Sequence, residues 1–359
     1  MPFSGSRTSY YLDVVSGRRN GLAASMIRAG LTVPAYLLWL PVSAGARWYK
    51  LLRGAYRPPC PVISVGNITA GGTGKTPMVE WLARRLKADG RRPAVLSRGY
   101  RATSGTANDE SQVLSDHLVD VPILTGKDRA ESARQALAQK LANCFILDDG
   151  FQHYAIARDL DIVLIDCLLP FGGGHLLPRG LLREPLGALR RADVLVLTRS
   201  DQVSDERKQA IRDRIARIDA SRPFAEAIHA PVDLVNGVTG ERIDLEFVRD
   251  KKVLLFSGIG NPEGFEKTAQ ALGAAVTSHF RFRDHHRYCD HELAELASAA
   301  EKDRCDAVLT TEKDVVKIGR CWKSETPLLA VGVRFEITAG EEILSGLIES
   351  ATRAGPGRH

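Results

Sequence analysis

The feature that most constrains this chain is the run Gly66-Asn-Ile-Thr-Ala-Gly-Gly-Thr-Gly-Lys-Thr76, which follows the apolar stretch Pro61–Val65 and precedes a helix-patterned segment. Strand, glycine-rich turn and helix in that order form a phosphate cradle. Gly71, Gly72 and Gly74 let backbone N–H groups turn inward around phosphate oxygens, and the helix beginning near Thr76 adds its positive end. Lys75 is placed to reach the β- and γ-phosphates and Thr76 to ligate Mg²⁺, so residues 69–76 (Thr69, Ala70, Gly71, Gly72, Thr73, Gly74, Lys75, Thr76) are the expected ATP-binding loop. One departure stands out: Thr69 occupies the position usually held by glycine or alanine. A dinucleotide fingerprint, GxGxxG, is absent from this turn.

Such a loop needs a carboxylate at the end of a neighbouring strand to hold the metal or its waters. Asp148 and Asp149, closing the apolar run CFILDDG, meet that need, and burying either without a cation would be costly. Phe151-Gln152-His153 follows, and His153 reads equally as a phosphate or substrate contact and as a structural histidine. Further apolar runs at 93–100, 161–167 and 192–200 alternate with helical patterns, which predicts a mostly parallel sheet covered on both faces. A second α/β block begins near 229, with strands at 251–262, 306–314 and 326–336, helices at 263–274 and 291–302, and a hairpin or linker at 236–247. The expected organisation is an apolar N-terminal segment (1–57), a P-loop NTPase-like core (58–228), a second, smaller α/β domain (229–350) whose end packs back on the core, and a frayed tail (351–359). GTPase base-reading motifs are only faintly echoed, by TRSD (198–201) and TEKD (311–314), so ATP is the expected nucleotide.

From DDGFQH onward the chain resembles the tetraacyldisaccharide 4′-kinase family of lipid A biosynthesis. The matching blocks are VGNITAGGTGKTP (65–77), SRGY (97–100), DDGFQHYAIARD (148–159), LLPRGLLREP (176–185), GIGNP (258–262), DHH (284–286) and TEKDVVK (311–317). The resemblance implies transfer of the ATP γ-phosphate to the 4′-hydroxyl of an acylated glucosamine disaccharide 1-phosphate, giving lipid IVA. It also implies two α/β domains that close on each other, and work at the cytoplasmic face of the bacterial inner membrane. It carries Lys75, Thr76, Asp148 and Asp149 over as phosphate and Mg²⁺ residues. The family's Gly-Asp-Glu-Pro block becomes Asn108-Asp109-Glu110-Ser111 here. The resemblance points to Asp109 as general base paired with His285, the first histidine of DHH, with Glu110 a further metal candidate. Arg129, Arg183 and Glu184 lie in matching blocks as phosphate or substrate contacts, although each arginine, like Arg98, reads equally well as a structural salt bridge.

Between Arg28 and Arg47 lie 18 uncharged residues, interrupted by Pro34 and Pro41 and flanked by Arg18, Arg19, Arg28, Arg47, Lys50, Arg53 and Arg57. A segment lying in the inner leaflet is preferred over a transmembrane helix, a buried hairpin or a secretory signal. A lipid with several acyl chains does not readily leave a bilayer, so its enzyme must come to it. The net charge of +6 suits an anionic partner such as a nucleotide or phospholipid and does not by itself argue for nucleic acid. Six cysteines without a CxxC pair give neither a disulfide framework nor a zinc site. A monomer is expected. The competing class, a membrane-associated partition-type or regulatory ATPase, leaves DHH and LLPRGLLREP without a purpose.

Overall fold

A computed structural model describes residues 10–11, 14–15, 19–37, 39, 54–98, 109–284, 286–318 and 321–353, with the backbone alone for residues 109–112. The chain forms two compact units, divided after Ile228 and again after Arg334. The first unit takes the described residues up to Ile228 together with those from Phe335 onward; the second spans His229–Arg334.

The first unit is built on β1 (Val62–Asn67), β2 (Pro93–Ser97), β3 (Ile123–Thr125), β4 (Cys144–Asp148), β5 (Leu160–Asp166), β6 (Val194–Thr198) and the start of β7 (Phe224–Asn236). Their order across the sheet is β3-β2-β4-β1-β5-β6-β7, all parallel, so β1 is central and the phosphate loop leaves from the middle of the sheet. β1, β4 and β5 are buried along their whole length, as continuous apolar runs in a two-sided parallel sheet should be. On one face Ile63 and Val65 pack with Met78, Leu82 and Leu86 and with Leu344 and Ile348; on the other, Val62 packs with Phe145 and Ala133. Each fully buried side chain of this size contributes roughly 1.5–3 kcal/mol.

Helices cover this sheet or precede it. A first helix, α1 (Leu22–Gly30), leads into further helical residues at 32–37. Among the described residues no helix is long and apolar enough to cross a membrane. The next is α2 (Lys75–Ala88), which follows the phosphate loop. The third, α3 (Asp109–His117), begins inside the polar stretch 101–111, whose composition reads as a loop, while residues 101–108 lie outside the described residues. Val113 and Leu114 bury its inner side. Then come α4 (Arg129–Ala138), capped by Asp128 accepting from the Glu131 N–H, and α5 (Asp205–Ala216), which buries only Ile211 and Ile215.

The second unit carries the parallel strands β9 (Lys252–Ser257), β10 (Ala275–Arg281), β11 (Ala307–Thr311) and the start of β12 (Leu328–Ala339), ordered β10-β9-β11-β12. The two-residue β8 (Arg242–Ile243) pairs antiparallel with the end of β7, which is the hairpin expected near 236–247. Its helices are α6 (Pro262–Ala271), α7 (Asp290–Lys302) and α8 (Glu312–Ile318). The last helix, α9 (Glu341–Arg353), belongs to the first unit, where Leu344, Ile348 and Ala351 join the core behind β1.

Candidate active site

In the first unit the strands β1, β2, β4, β5 and β6 end on Asn67, Ser97, Asp148, Asp166 and Thr198. All five are buried. Because the strands are parallel, these polar ends share one edge of the sheet. Buried polar groups are retained where they have partners or work to do, and the carboxyl edge of an open α/β sheet is where ligands bind.

The phosphate loop occupies this edge. Gly71 has φ 117° and Gly74 φ 89°, conformations that an L side chain rarely adopts, so glycine is required at both. Thr69 is paired in an antiparallel bridge with Leu182, flanked by Ala70 N–H donating to Leu181 O at 2.7 Å and Arg183 N–H to Ile68 O at 2.8 Å. A β-branched residue suits that extended pairing, which accounts for threonine at this irregular position. The same pairing fastens the LLPRGLLREP block against the loop and brings Arg183 to it.

Lys75, Asp149 and Arg183 form one cluster. Lys75 Nζ lies 3.6 Å from Asp149 Oδ1, and Arg183 Nη1 donates to both Asp149 oxygens at 2.9 and 2.8 Å. Burial works against the Asp149 carboxylate, but the Lys75, Arg183 and Arg129 charges outweigh it and hold its pKa below the ordinary carboxylate value. Asp149 itself has φ 51°, in the left-handed region. Arg129 sits behind this turn, donating through Nη2 to Asp148 O at 2.7 Å and through Nη1 to Asp149 O at 3.3 Å. Its buried guanidinium holds the acidic turn in place from behind. Burial and the Arg98 charge depress its pKa, with Asp148 and Asp149 acting in the opposite sense.

Asp148 points its Oδ2 at the Ser97 hydroxyl, 3.1 Å away. Thr76 is buried at the first turn of α2. Both offer hard oxygen donors, and Mg²⁺ carried by a triphosphate takes only one or two protein oxygens besides phosphate and water. The residues present therefore fit that ion. Among the described residues no group of three His, Cys, Asp or Glu side chains forms a cage of its own.

The remaining expected residues fall elsewhere. Glu184 clamps Arg191 at 2.9 and 3.0 Å and accepts from Tyr154 Oη at 3.2 Å, so its two oxygens are committed to neighbours. The His153 ring is pushed down to a pKa of about 4 by burial and by Arg129 and Arg158, which makes it neutral near pH 7. Its Nε2 is buried without a hydrogen-bond partner among the described residues. Asp109 opens α3, but its side chain, that of Glu110 and the whole of His285 lie outside the described residues. The neighbouring His286 stacks on Phe282 at 4.7 Å and pairs with Glu292 at 3.0 Å.

Sequence reasoning missed Asn67, Ser97, Asp166 and Arg199 as members of this edge. Their one visible signal is position, as the last polar residue of an apolar run or the residue just after it.

Comparison with known proteins identifies this architecture. The family model described as Tetraacyldisaccharide-1-P 4′-kinase matches residues 28–352. A tetraacyldisaccharide 4′-kinase of Anaeromyxobacter sp. (strain Fw109-5) is 40% identical over 350 residues, covering 93% of this chain and 91% of its own. The enzyme of the same name from Syntrophus aciditrophicus (strain SB) is 40% identical over 304 residues, covering 78% and 81%. The crystal structure of Aquifex aeolicus LpxK in complex with ATP superposes with a TM-score of 0.70 at 30% identity, covering 91% of this chain and 99% of that one. The chain belongs to the tetraacyldisaccharide 4′-kinase family, which phosphorylates a lipid A precursor with ATP.

Proposed function

We propose that the γ-phosphate passes to the 4′-hydroxyl at the edge formed by residues 69–76, 148–149 and 183. The observation that carries this is the Lys75–Asp149–Arg183 cluster beside the loop. Two cations share one carboxylate there, so an arriving triphosphate meets positive charge already fixed in place. Lys75 binds the β- and γ-phosphate oxygens and Arg183 the equatorial oxygens of the transferring group. Thr76 and Asp148 would hold Mg²⁺, which would supply neutralisation of the charge that develops on the triphosphate. Arg129 keeps the Asp148–Asp149 turn in register. Glu184 positions Arg191 and Tyr154, and His153 acts as a neutral neighbour.

The acceptor hydroxyl is a weak nucleophile and gives up its proton as the new P–O bond forms and ADP leaves. Asp109 takes that proton and His285 orients it. The lipid is met at a membrane surface, to which the N-terminal helical segment presents an apolar face, and the use of ATP places that surface on the cytoplasmic side of the inner membrane. Leu22 and Met26 are 82% and 67% exposed, and Val33, Tyr36 and Leu37 are exposed beside them. Thr32 is tied to Arg179 at 2.9 Å, and a cavity of about 160 Å³ is lined by Ala35, Trp39, Leu176 and Leu186. An apolar surface of this kind suits the interfacial mode in which a helix lies in the headgroup region.

The test is transfer of labelled phosphate from ATP to the lipid disaccharide by Asp109→Asn. Loss of a general base predicts a fall in kcat of about 10²–10⁴-fold with the KM for ATP preserved. An undiminished kcat would remove Asp109 from the base role.

A further inference from the structure

A phosphate loop binds well only when its N–H groups already face the anion. In a trans peptide the N–H points opposite to the C=O of the same unit, so tying a carbonyl fixes the N–H beyond it. Two successive carbonyls of this loop are tied by side chains from the segment that closes β6. Arg199 Nη2 donates to Gly72 O at 3.1 Å, and the Thr198 hydroxyl donates to Thr73 O at 3.0 Å. Those two peptide units carry the N–H groups of Thr73 and Gly74. Asn67 Nδ2 adds a third tie, to the Thr73 hydroxyl at 2.9 Å.

Arg199 is held in turn. Its Nη1 donates to Asp166 Oδ2 at 2.7 Å, and the other Asp166 oxygen accepts from the Leu168 N–H at 3.1 Å. The Arg199 backbone adopts φ 55° and ψ 40°, a left-handed conformation that costs a residue other than glycine energy. Strain of this kind persists where the surroundings over-determine it, and here the strained residue bridges the end of β5 to the phosphate loop.

We infer that Thr198, Arg199 and Asp166 are positioning residues for the triphosphate. They touch the loop, and they hold its N–H groups toward the site before ATP arrives. The inference rests on the reading of residues 69–76 as the triphosphate loop. It gives the TRSD segment work that its weak likeness to a base-reading motif does not reveal.

The experiment measures equilibrium binding of ATP, the KM for ATP, kcat and Tm for full-length Arg199→Ala, Arg199→Lys and Thr198→Val, with Lys75→Ala as control. A lost charge-assisted hydrogen bond at a preorganised loop predicts a rise of about tenfold or more in KM and Kd for ATP in Arg199→Ala. The KM for the lipid stays unchanged, and Arg199→Lys recovers part of the loss. Thr198→Val, which removes only the hydroxyl, raises the KM for ATP by about fivefold, and this near-isosteric variant decides the matter should Arg199→Ala fail to fold. A lowered Tm with an ATP KM within twofold of wild type would mean an ordinary buried ion pair and overturn the proposal. If Lys75→Ala retains full ATP affinity and transfer, the reading of the loop itself fails. If Lys75→Ala is impaired while Arg199→Ala and Thr198→Val behave as wild type, only the positioning role fails.

Discussion

Two four-residue segments of this chain look alike and do different work. Thr198-Arg199-Ser200-Asp201 and Thr311-Glu312-Lys313-Asp314 each follow an apolar parallel strand, and each ends in aspartate. In the first, Arg199 is left-handed and the segment turns aside, so that its threonine and arginine reach the phosphate loop while Asp201 is exposed. In the second, helix α8 begins at once, and Asp314 is fully buried. There it accepts from the Gly258 N–H at 3.0 Å, the Thr311 hydroxyl at 2.8 Å and Lys317 Nζ at 3.1 Å. Asp314 thus fixes the start of the GIGNP loop from inside its unit. One backbone torsion after the threonine separates a segment that serves a ligand loop from one that serves a fold.

The largest effect expected from this contrast is at Asp314. Asp314→Ala removes a buried carboxylate that Lys317, the Thr311 hydroxyl and the Gly258 N–H share, and breaking such a buried pair costs about 3–5 kcal/mol. Chemical denaturation should show that loss, while the folded enzyme keeps its KM for ATP. A raised KM for ATP at full stability would break the comparison, because the second segment would then serve the nucleotide as well. The smallest effect belongs to Asp201→Ala. An exposed aspartate away from any tie should change stability by less than about 0.5 kcal/mol, with the ATP-to-GTP preference of kcat/KM unaltered. A shift in that preference would sharpen the comparison, extending the first segment's role from the loop to the base.

Much of the site was readable because its signals are local. Gly71, Gly74, Lys75 and Thr76 sit within six residues, and the two positive φ angles explain why glycine stands where it does. The acidic pair is equally local, closing a five-residue buried strand. The ties of the loop were not readable, because Arg199 meets Gly72 across 127 positions and Thr198 meets Thr73 across 125. Fold elements escaped for a different reason. Helix α5 buries only Ile211 and Ile215 and is otherwise polar, so its periodicity is faint. β10 is exposed or half-exposed throughout, and β7 mixes charged and apolar residues, so neither shows the continuous apolar run that marks β1, β4 or β5. Helix α3 hid behind polar residues at its start, although Val113 and Leu114 anchor it.

On this reading the edge around Lys75 transfers phosphate from ATP to a lipid. Incubation of labelled ATP and Mg²⁺ with the purified lipid disaccharide tests it most directly, comparing wild type with Lys75→Ala. Label is expected on the lipid with wild type, and a transfer rate lower by about 10²–10³-fold in the variant, at an unchanged Tm, since one preorganised charge facing the transferring group is lost. Transfer by Lys75→Ala at the wild-type rate would contradict it.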